Sequence, residues 1–481
     1  MPESLKDQVI KGASWNGLER FGTAFFLFVS NLVLARLLSP DDFGCIGMLM
    51  VFISISDAIV DGGFGAALVQ KKNASQTDFS TIFIWDVFLS LLLYLILFLL
   101  SPLIAAFYKM DSLSTILRVQ GIVLLFNGLS NIQRTMLTRQ MNFKKQARIN
   151  LSAMIIGSCL GIFCAFCGMG IWSLVVKLLS TSIIACICFW LTSTWFPNRC
   201  FSIKSLKSLF SFGGFVFLTS ITNSIYSNII SLVIGKSFSS TTLGYFTQAR
   251  KLEDVPRQTI SSVVNNVTFP AFSSIQDDKI RLKKAIGESL KFLSFINFSL
   301  TILMMVIASP IILLLFSEKW LPSVPYFQVI CLYGLIMSII ELNLGVYKAV
   351  GKSNLLFITG IIRRVIGITL IISGALWGIK GVLIGYVVGQ YISFVIVSYP
   401  LDKIIGYGLL NQIKDMLPNL IVSITAGIFS YFIVFGVELN PFMLCCIQVI
   451  VFCVTIVLLS TLFKIEGYRL AKKIVQNRII I

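Results

Sequence analysis

Several stretches of this chain pass through more than twenty positions without a formal charge, among them Val87 to Tyr108, Ser208 to Gly235, Phe292 to Ser317, Gly381 to Leu401, Met416 to Val437 and Leu439 to Phe463. At ~1.5 Å per residue, a helix over any of them crosses the ~30 Å hydrocarbon core of a bilayer. Composition agrees, with 56% hydrophobic and 12% charged residues and a mean hydropathy of +0.89. Soluble domains carry roughly 25% charged residues to cover their surface. A span with its loop takes on the order of 30 to 35 residues, so about fourteen spans use the whole length and leave no large aqueous domain.

Histidine is absent. Without it a Ser/His/Asp or Cys/His nucleophile and a His-ligated zinc, iron or haem site are ruled out, so neither catalysis, nor a metal, nor a cofactor is expected. Most of the eleven cysteines lie in apolar runs, where a thiol packs as a small hydrophobe. Cys164 and Cys167 have CxxC spacing, but with no second pair and inside a predicted span they read as packing residues.

Turn signals such as Ser39-Pro40-Asp41, Gly168-Met169-Gly170 and Gly378-Ile379-Lys380 divide the less apolar remainder. The fourteen predicted spans lie near 14–38, 43–66, 80–105, 113–134, 146–168, 170–193, 207–235, 242–266, 288–316, 324–347, 355–377, 379–400, 415–437 and 440–463. Lys and Arg test this independently, because they collect in cytoplasmic loops. Of 39 such residues, 28 fall at the termini and in or beside even-numbered loops, with Arg363 and Arg364 counted with their loop although they fall within span 11, against five in odd loops: Arg36, Lys109, Lys236, Lys319 and Lys380. That split predicts an even number of spans and two cytoplasmic termini. It also absorbs most of the +18 net charge, so a nucleic-acid partner is not expected: the cations are dispersed among short loops. Met1 to Ala13 is polar, and the apolar stretch from Phe21 runs past Leu34 without a small-residue cleavage site, so the first span is expected to be retained.

At a shift of 200 residues, Val33 to Gly44 falls over Val233 to Gly244; in each copy an apolar helix ends with one cation, turns, and restarts at a glycine. A shift of 208 places Gly170 to Val175 over Gly378 to Leu383. The expected fold is therefore an all-α membrane protein with two six-helix lobes in parallel repeat plus two further helices. The lobes take 1–200 and 201–402, and 403–481 holds spans 13 and 14 with a basic tail. Such lobes are expected to leave a central cleft and to work by alternating access.

A charge at mid-membrane costs at least ~2.5 to 3.5 kcal/mol on the insertion scale, so those that persist face a protein interior or a wet cavity. Span 8 is the extreme case, crowded with Gln248, Arg250, Lys251, Glu253, Asp254, Arg257, Gln258, Asn265 and Asn266. At ~100° per residue, Arg250, Glu253, Asp254, Arg257 and Ser261 share one face, while Leu252, Val255, Ile260 and Val263 lie opposite. Pro256 removes a backbone hydrogen bond halfway along and is a candidate hinge. Span 1 supplies Arg20, and span 2 carries Asp57 and Asp61, four residues apart on one face. Pairing of Arg20 with one of these acids either neutralises buried charge or serves gating or ion coupling. Asp86, Arg118, Lys177, Glu341, Arg363 and Arg364 read as snorkelling to an interface rather than reaching the cleft. Span 7 adds an uncharged stripe, Thr219, Thr222, Asn223, Tyr226 and Asn228, suited to sugar hydroxyls or to helix packing. Arg20, Arg250, Lys251 and Arg257, partly offset by acids, favour an anionic, phosphate-bearing cargo, because a guanidinium binds phosphate oxygens bidentately.

The run Leu34-Ala35-Arg36-Leu37-Leu38-Ser39-Pro40-Asp41-Asp42-Phe43-Gly44 is followed by Asp61-Gly62-Gly63-Phe64-Gly65 and by Thr77-Asp78-Phe79-Ser80. With Ala105-Ala106-Phe107-Tyr108 and Gly168-Met169-Gly170-Ile171-Trp172 these resemble the WzxC-like bacterial polysaccharide exporters, closely over residues 10–180 and diffusely beyond. The resemblance implies the multidrug/oligosaccharidyl-lipid/polysaccharide exporter fold, with fourteen helices in two lobes. It also implies an inner-membrane flippase that moves an undecaprenyl-diphosphate-linked oligosaccharide repeat unit to the periplasmic leaflet. Its partners would be that lipid-linked substrate, membrane lipids, and a polysaccharide polymerase with chain-length machinery. Arg20, Arg250 and Arg257 are the candidates for diphosphate and sugar, with Lys251 and Asn223 beside them. No GxxxxGK[ST] loop is present, so an ion gradient or consumption of the product must drive transport. Asp57, Asp61, Glu253 and Asp254 are the candidates for ion coupling or gating. A drug/cation antiporter of the same superfamily, with an acid-dominated cavity, and a non-transporting scaffold of a polysaccharide assembly complex are the alternatives. A membrane glycosyltransferase would need a larger aqueous loop than any here.

Overall fold

The computed structural model describes Gly22, residues 25–436 and residues 439–479, and among these every regular element is a helix. A short apolar helix, α1 (Phe25–Leu37), comes first. It is followed by α2 (Pro40–Asp61), α3 (Phe64–Gln70), α4 (Gln76–Tyr108), α5 (Ser112–Gln120), α6 (Val123–Arg139), α7 (Phe143–Phe166), α8 (Ile171–Thr192) and α9 (Ile203–Ser237). The chain continues through α10 (Ser240–Ser274), α11 (Lys279–Val306), α12 (Ala308–Phe316), α13 (Val324–Ala349), α14 (Ser353–Gly374) and α15 (Gly378–Ile405). It then passes through α16 (Leu409–Phe432), α17 (Pro441–Leu462) and α18 (Glu466–Ile479).

Eleven segments among the described residues are long and apolar enough to cross a membrane, so the protein is a multi-pass, all-helical membrane protein. Three features separate that number from the fourteen predicted spans. The described part of α1 is short, α10 is too polar to qualify, and α14 and α15 fall in one apolar stretch, Ser353–Ile405, whose two helices pack side by side.

Three predicted spans are interrupted. Span 2 ends its first helix at Asp61, and Gly62 and Gly63 then take positive φ (52° and 68°) before α3 begins. Span 4 divides into α5 and α6 around Gly121, and span 9 divides at Ile307. Conversely, α10 runs unbroken through Pro256 and Pro270, and α4 through Pro102.

The described chain forms two compact units, Met1–Gly244 and Tyr245–Ile481. The sequence put a lobe boundary at 200/201, whereas α9 packs on α2, α3 and α4 inside the first unit. Within that unit α7 and α8 form a tight hairpin, α4 packs on α6, and Phe64, Leu68, Phe79, Ile82, Ile132, Trp195 and Leu209 share a core.

Also within the first unit, the starts of α2 and α10 cross at contact distance. A Cβ on Gly44 would overlap the Ser240 carbonyl oxygen, and a Cβ on Gly244 would overlap the Pro40 carbonyl oxygen. The contact is reciprocal, as in an interface related by a two-fold axis. Apolar area gives helices little reason to associate in lipid, and small residues that let backbones touch supply dispersion instead. Ser39 caps α2: its Oγ accepts from the Asp42 amide (3.2 Å) and the Asp42 carboxylate accepts from the Ser39 amide (2.9 Å). Ser239 repeats half of this, its Oγ accepting from the Thr242 amide (3.1 Å).

In the second unit α11 is central, packing on α13, α16 and α18, while α16 packs on α17. A buried polar knot ties α13, α15 and α16, with Asn343 Nδ2 donating to Ser398 Oγ (3.0 Å) and to Gln412 Oε1 (2.9 Å). Lys291 of α11 reaches Glu466 at the start of α18 (2.5 Å) and Asp415 of α16 (3.3 Å). The Lys291 ammonium holds the Glu466 carboxyl below the usual carboxylate range.

Candidate functional site

The second unit holds the densest charge cluster, on α10. Arg257 Nε donates to Glu253 Oε2 (3.0 Å), one turn back, and Arg257 NH2 donates to Asp254 Oδ1. The i,i+3 and i,i+4 spacings put all three side chains on one strip of the helix. Glu253 is buried, 4% exposed, in the space beside Gly334 of α13, where a Cβ would collide with its carboxylate. Asn297 of α11 donates to the Gly334 and Leu335 carbonyls (3.2 and 2.7 Å), which fixes that wall. Tyr333 and Tyr386 stack with centroids 4.2 Å apart and planes 6° apart, and Arg250 lies within electrostatic range of both and of Asp254. Lys251 is exposed.

Guanidiniums, two carboxylates and stacked phenols thus converge beside α13 and α15. Glu253 faces protein, and Val255, on the opposite side of the helix, is 42% exposed. Arg257 is engaged by two carboxylates, which use two of the five N–H donors of its guanidinium. Pro256 sits between these residues without ending the helix.

The first unit holds three carboxylates in a different setting. Asn127 Nδ2 of α6 donates to Asp57 Oδ1 (3.0 Å), and Asn131 Nδ2, one turn on, donates to Asp86 Oδ2 of α4 (2.9 Å). Asp86 is fully buried, and its Oδ1 has no hydrogen-bond partner among the described residues. Asp61 is exposed at the last position of α2, and Arg134 lies within electrostatic range of Asp57 and Asp61. Arg20, the cation expected to pair with these acids, lies outside the described residues. Among the described residues no group of three Cys, Asp or Glu side chains is placed to hold a metal ion.

The polar stripe on α9 is mostly self-satisfied. Thr219 and Thr222 donate to carbonyls of their own helix, Asn228 donates to Ser54 Oγ of α2 (2.9 Å), and Asn223 is exposed. Arg118 donates to Ser101 Oγ (2.8 Å) and lies over the Phe98 ring, and Lys177 donates to Ser30 Oγ (2.7 Å). The snorkelling expected of Asp86 is not found: it is an interior residue. Sequence reasoning passed over Asn127, Asn131 and Tyr333, whose importance comes only from which helices they meet.

Residues 33–325, more than half of the chain, match the model of the family described as polysaccharide biosynthesis protein. The chain belongs to that family. Its relatives include the teichuronic acid biosynthesis protein TuaB of Bacillus subtilis, 24% identical over 91% of this chain and 90% of TuaB. Another is the lipopolysaccharide biosynthesis protein WzxC of Escherichia coli, 25% identical over 88% of this chain and 89% of WzxC. The WzxC-like resemblance read from the sequence is therefore borne out. In fold, the chain is similar to the lipid II flippase MurJ in an inward closed conformation. The TM-score is 0.77 at 16% identity, covering 93% of this chain and 98% of that one.

Proposed function

We propose that this family member is a flippase for an undecaprenyl-diphosphate-linked oligosaccharide repeat unit of a surface polysaccharide. It moves the unit from the cytoplasmic to the periplasmic leaflet of a bacterial inner membrane by alternating access. The observation that carries this reading is α10, a helix of a transporter-like membrane fold that holds Arg250, Lys251, Glu253, Asp254 and Arg257 within about two turns. A diphosphate-sugar head cannot enter bare hydrocarbon, and in this reading the cations of α10 offer it hydrogen bonds while the polyprenyl tail stays in lipid.

In this reading Arg250, Arg257 and Lys251 receive the diphosphate, Arg20 contributes from span 1, and Asn223 contacts sugar. Cargo exchanges with Glu253 and Asp254 for the Arg257 guanidinium. The released carboxylates, with Asp57 and Asp61, are the candidates for ion coupling or gating, and Pro256 is the candidate hinge. The similar starts of α2 and α10 fit two repeats in parallel orientation, and the split of basic residues between loops favours fourteen spans and two cytoplasmic termini. A polysaccharide polymerase with its chain-length machinery would consume the product.

A drug/cation antiporter is the second reading, favoured by the three carboxylates of the first unit. Deletion of the protein separates the readings. A flippase leaves the lipid-linked repeat unit on the cytoplasmic leaflet, where an impermeant lectin or periodate cannot reach it in intact spheroplasts. Accumulation on the outer leaflet would sink the assignment.

A further inference from the structure

A pocket of about 470 Å³ opens in the first unit between the start of α7 and the end of α8, lined by Asn142, Lys144, Lys145, Arg148, Ile149 and Thr192. Three of these residues are cations and none is an acid. None is near in sequence either, because the chain from Ser112 to Leu252 contains no Asp or Glu. Other cations of the segment hold the fold: Arg139 donates to the Leu68 and Lys72 carbonyls (2.6 and 2.8 Å), and Arg134 lies over the Phe189 ring.

The pocket wall is fixed. Lys145 Nζ donates to the Thr192 carbonyl, where α8 ends, and the Lys145 amide donates to Asn142 Oδ1 (3.2 Å). Ile149 forms the floor, packed with Leu137 and Phe189, while Lys144 and Arg148 stand exposed. Both helices are candidate spans, so their shared end lies where hydrocarbon meets head groups. Beside it Leu191 and Ile187 are 80% and 50% exposed, an apolar track leading away from the cations.

We infer that this pocket binds the phosphate of an anionic membrane phospholipid. Lys144, Lys145 and Arg148 surround the phosphate, and an acyl chain runs along Leu191 and Ile187. Basic pockets between helix ends take such head groups, and the adjoining apolar track favours a lipid-borne phosphate over a free one. This inference does not depend on what the protein transports.

The test is native mass spectrometry of the full-length protein titrated with cardiolipin or phosphatidylglycerol, with phosphatidylcholine as control. The variant is Lys144→Gln with Arg148→Gln, both exposed; Lys145 is kept because it ties α7 to α8. Lys472→Gln with Lys473→Gln on α18 removes the same charge elsewhere. The pocket variant is expected to weaken the tightest anionic-lipid site about 30-fold, with the α18 variant unchanged. Equal losses in both variants, or none, would overturn the inference. So would displacement of the lipid by inorganic phosphate, or by undecaprenyl diphosphate at lower concentration than phosphatidylglycerol.

Discussion

Residues 39–44 and 239–244 begin α2 and α10 in the same way with different chemistry. Ser-Pro-Asp-Asp-Phe-Gly stands in the first copy and Ser-Ser-Thr-Thr-Leu-Gly in the second, yet each serine caps its helix and each glycine meets the other copy's backbone. The acids belong to the first copy and the hydroxyls to the second, so the segments are complementary as well as similar. Asp41 Oδ1 accepts from Ser240 Oγ, and Thr241 Oγ1 approaches the same oxygen at 3.4 Å. A pair of repeats can thus retain a shared backbone crossing while dividing donor and acceptor between them.

The crossing itself is the first place to break the comparison. A methyl at Gly44 or Gly244 meets a carbonyl of the backbone, which no side-chain rotation relieves. Alanine gains about 1 kcal/mol of helix propensity over glycine, so the clash must exceed this to be seen. Overpacking of this kind costs up to about 3 kcal/mol or more, and Gly44→Ala and Gly244→Ala are each expected to lower thermal stability in detergent by a net of about 2 kcal/mol or more. Because either one parts the same contact, the double variant should cost little more than either single one. Full additivity in the cycle would show that the two glycines act at separate places.

The division of donor and acceptor gives a smaller effect. Hydrogen bonds to a charged group contribute about 1.5 to 3 kcal/mol, and an acid in a helix's first turn adds about 0.3 to 1. Asp41→Ala is therefore expected to cost about 2 kcal/mol and Asp41→Asn, which keeps an acceptor, about half of that. Thr241→Ala should cost less than about 0.5 kcal/mol, since 3.4 Å is at the weak limit of a hydrogen bond. If thermal melts give Thr241→Ala the larger loss, the carboxylate is not the organising group.

This shared start was legible because caps, glycines and a single cation recur at fixed spacing. The breaks at Gly62–Gly63, Gly121 and Ile307 were not, because in a membrane a break need not bring polar loop residues with it and hydropathy runs straight through. On α10 the Glu253, Asp254 and Arg257 strip follows from helical spacing alone. What spacing does not reveal is that Glu253 turns into protein beside Gly334, or that Asp86 finds Asn131 on another helix. Those depend on which helices become neighbours, and apolar periodicity in lipid carries little of that information.

The caps provide the finest test of how alike the two copies are. Ser39 satisfies the Asp42 amide, and its hydroxyl also donates to the Asp42 carboxylate (2.7 Å), which in turn holds the Ser39 amide; removing the hydroxyl loosens a closed ring. Ser239 satisfies the Thr242 amide and shares a hydroxyl bond with Thr242 (2.9 Å), but threonine places no charge at the helix N-terminus. Replacing a serine cap by alanine costs about 1 kcal/mol on average, so Ser39→Ala should exceed that value and Ser239→Ala fall below it. The Asp42→Ala variant should then bring the two serine substitutions to the same cost, because it strips the first cap of what the second lacks. If Ser39→Ala remains the costlier change in an Asp42→Ala background, the difference between the copies lies outside the capping ring, with Pro40 at the first helical position the next residue to examine.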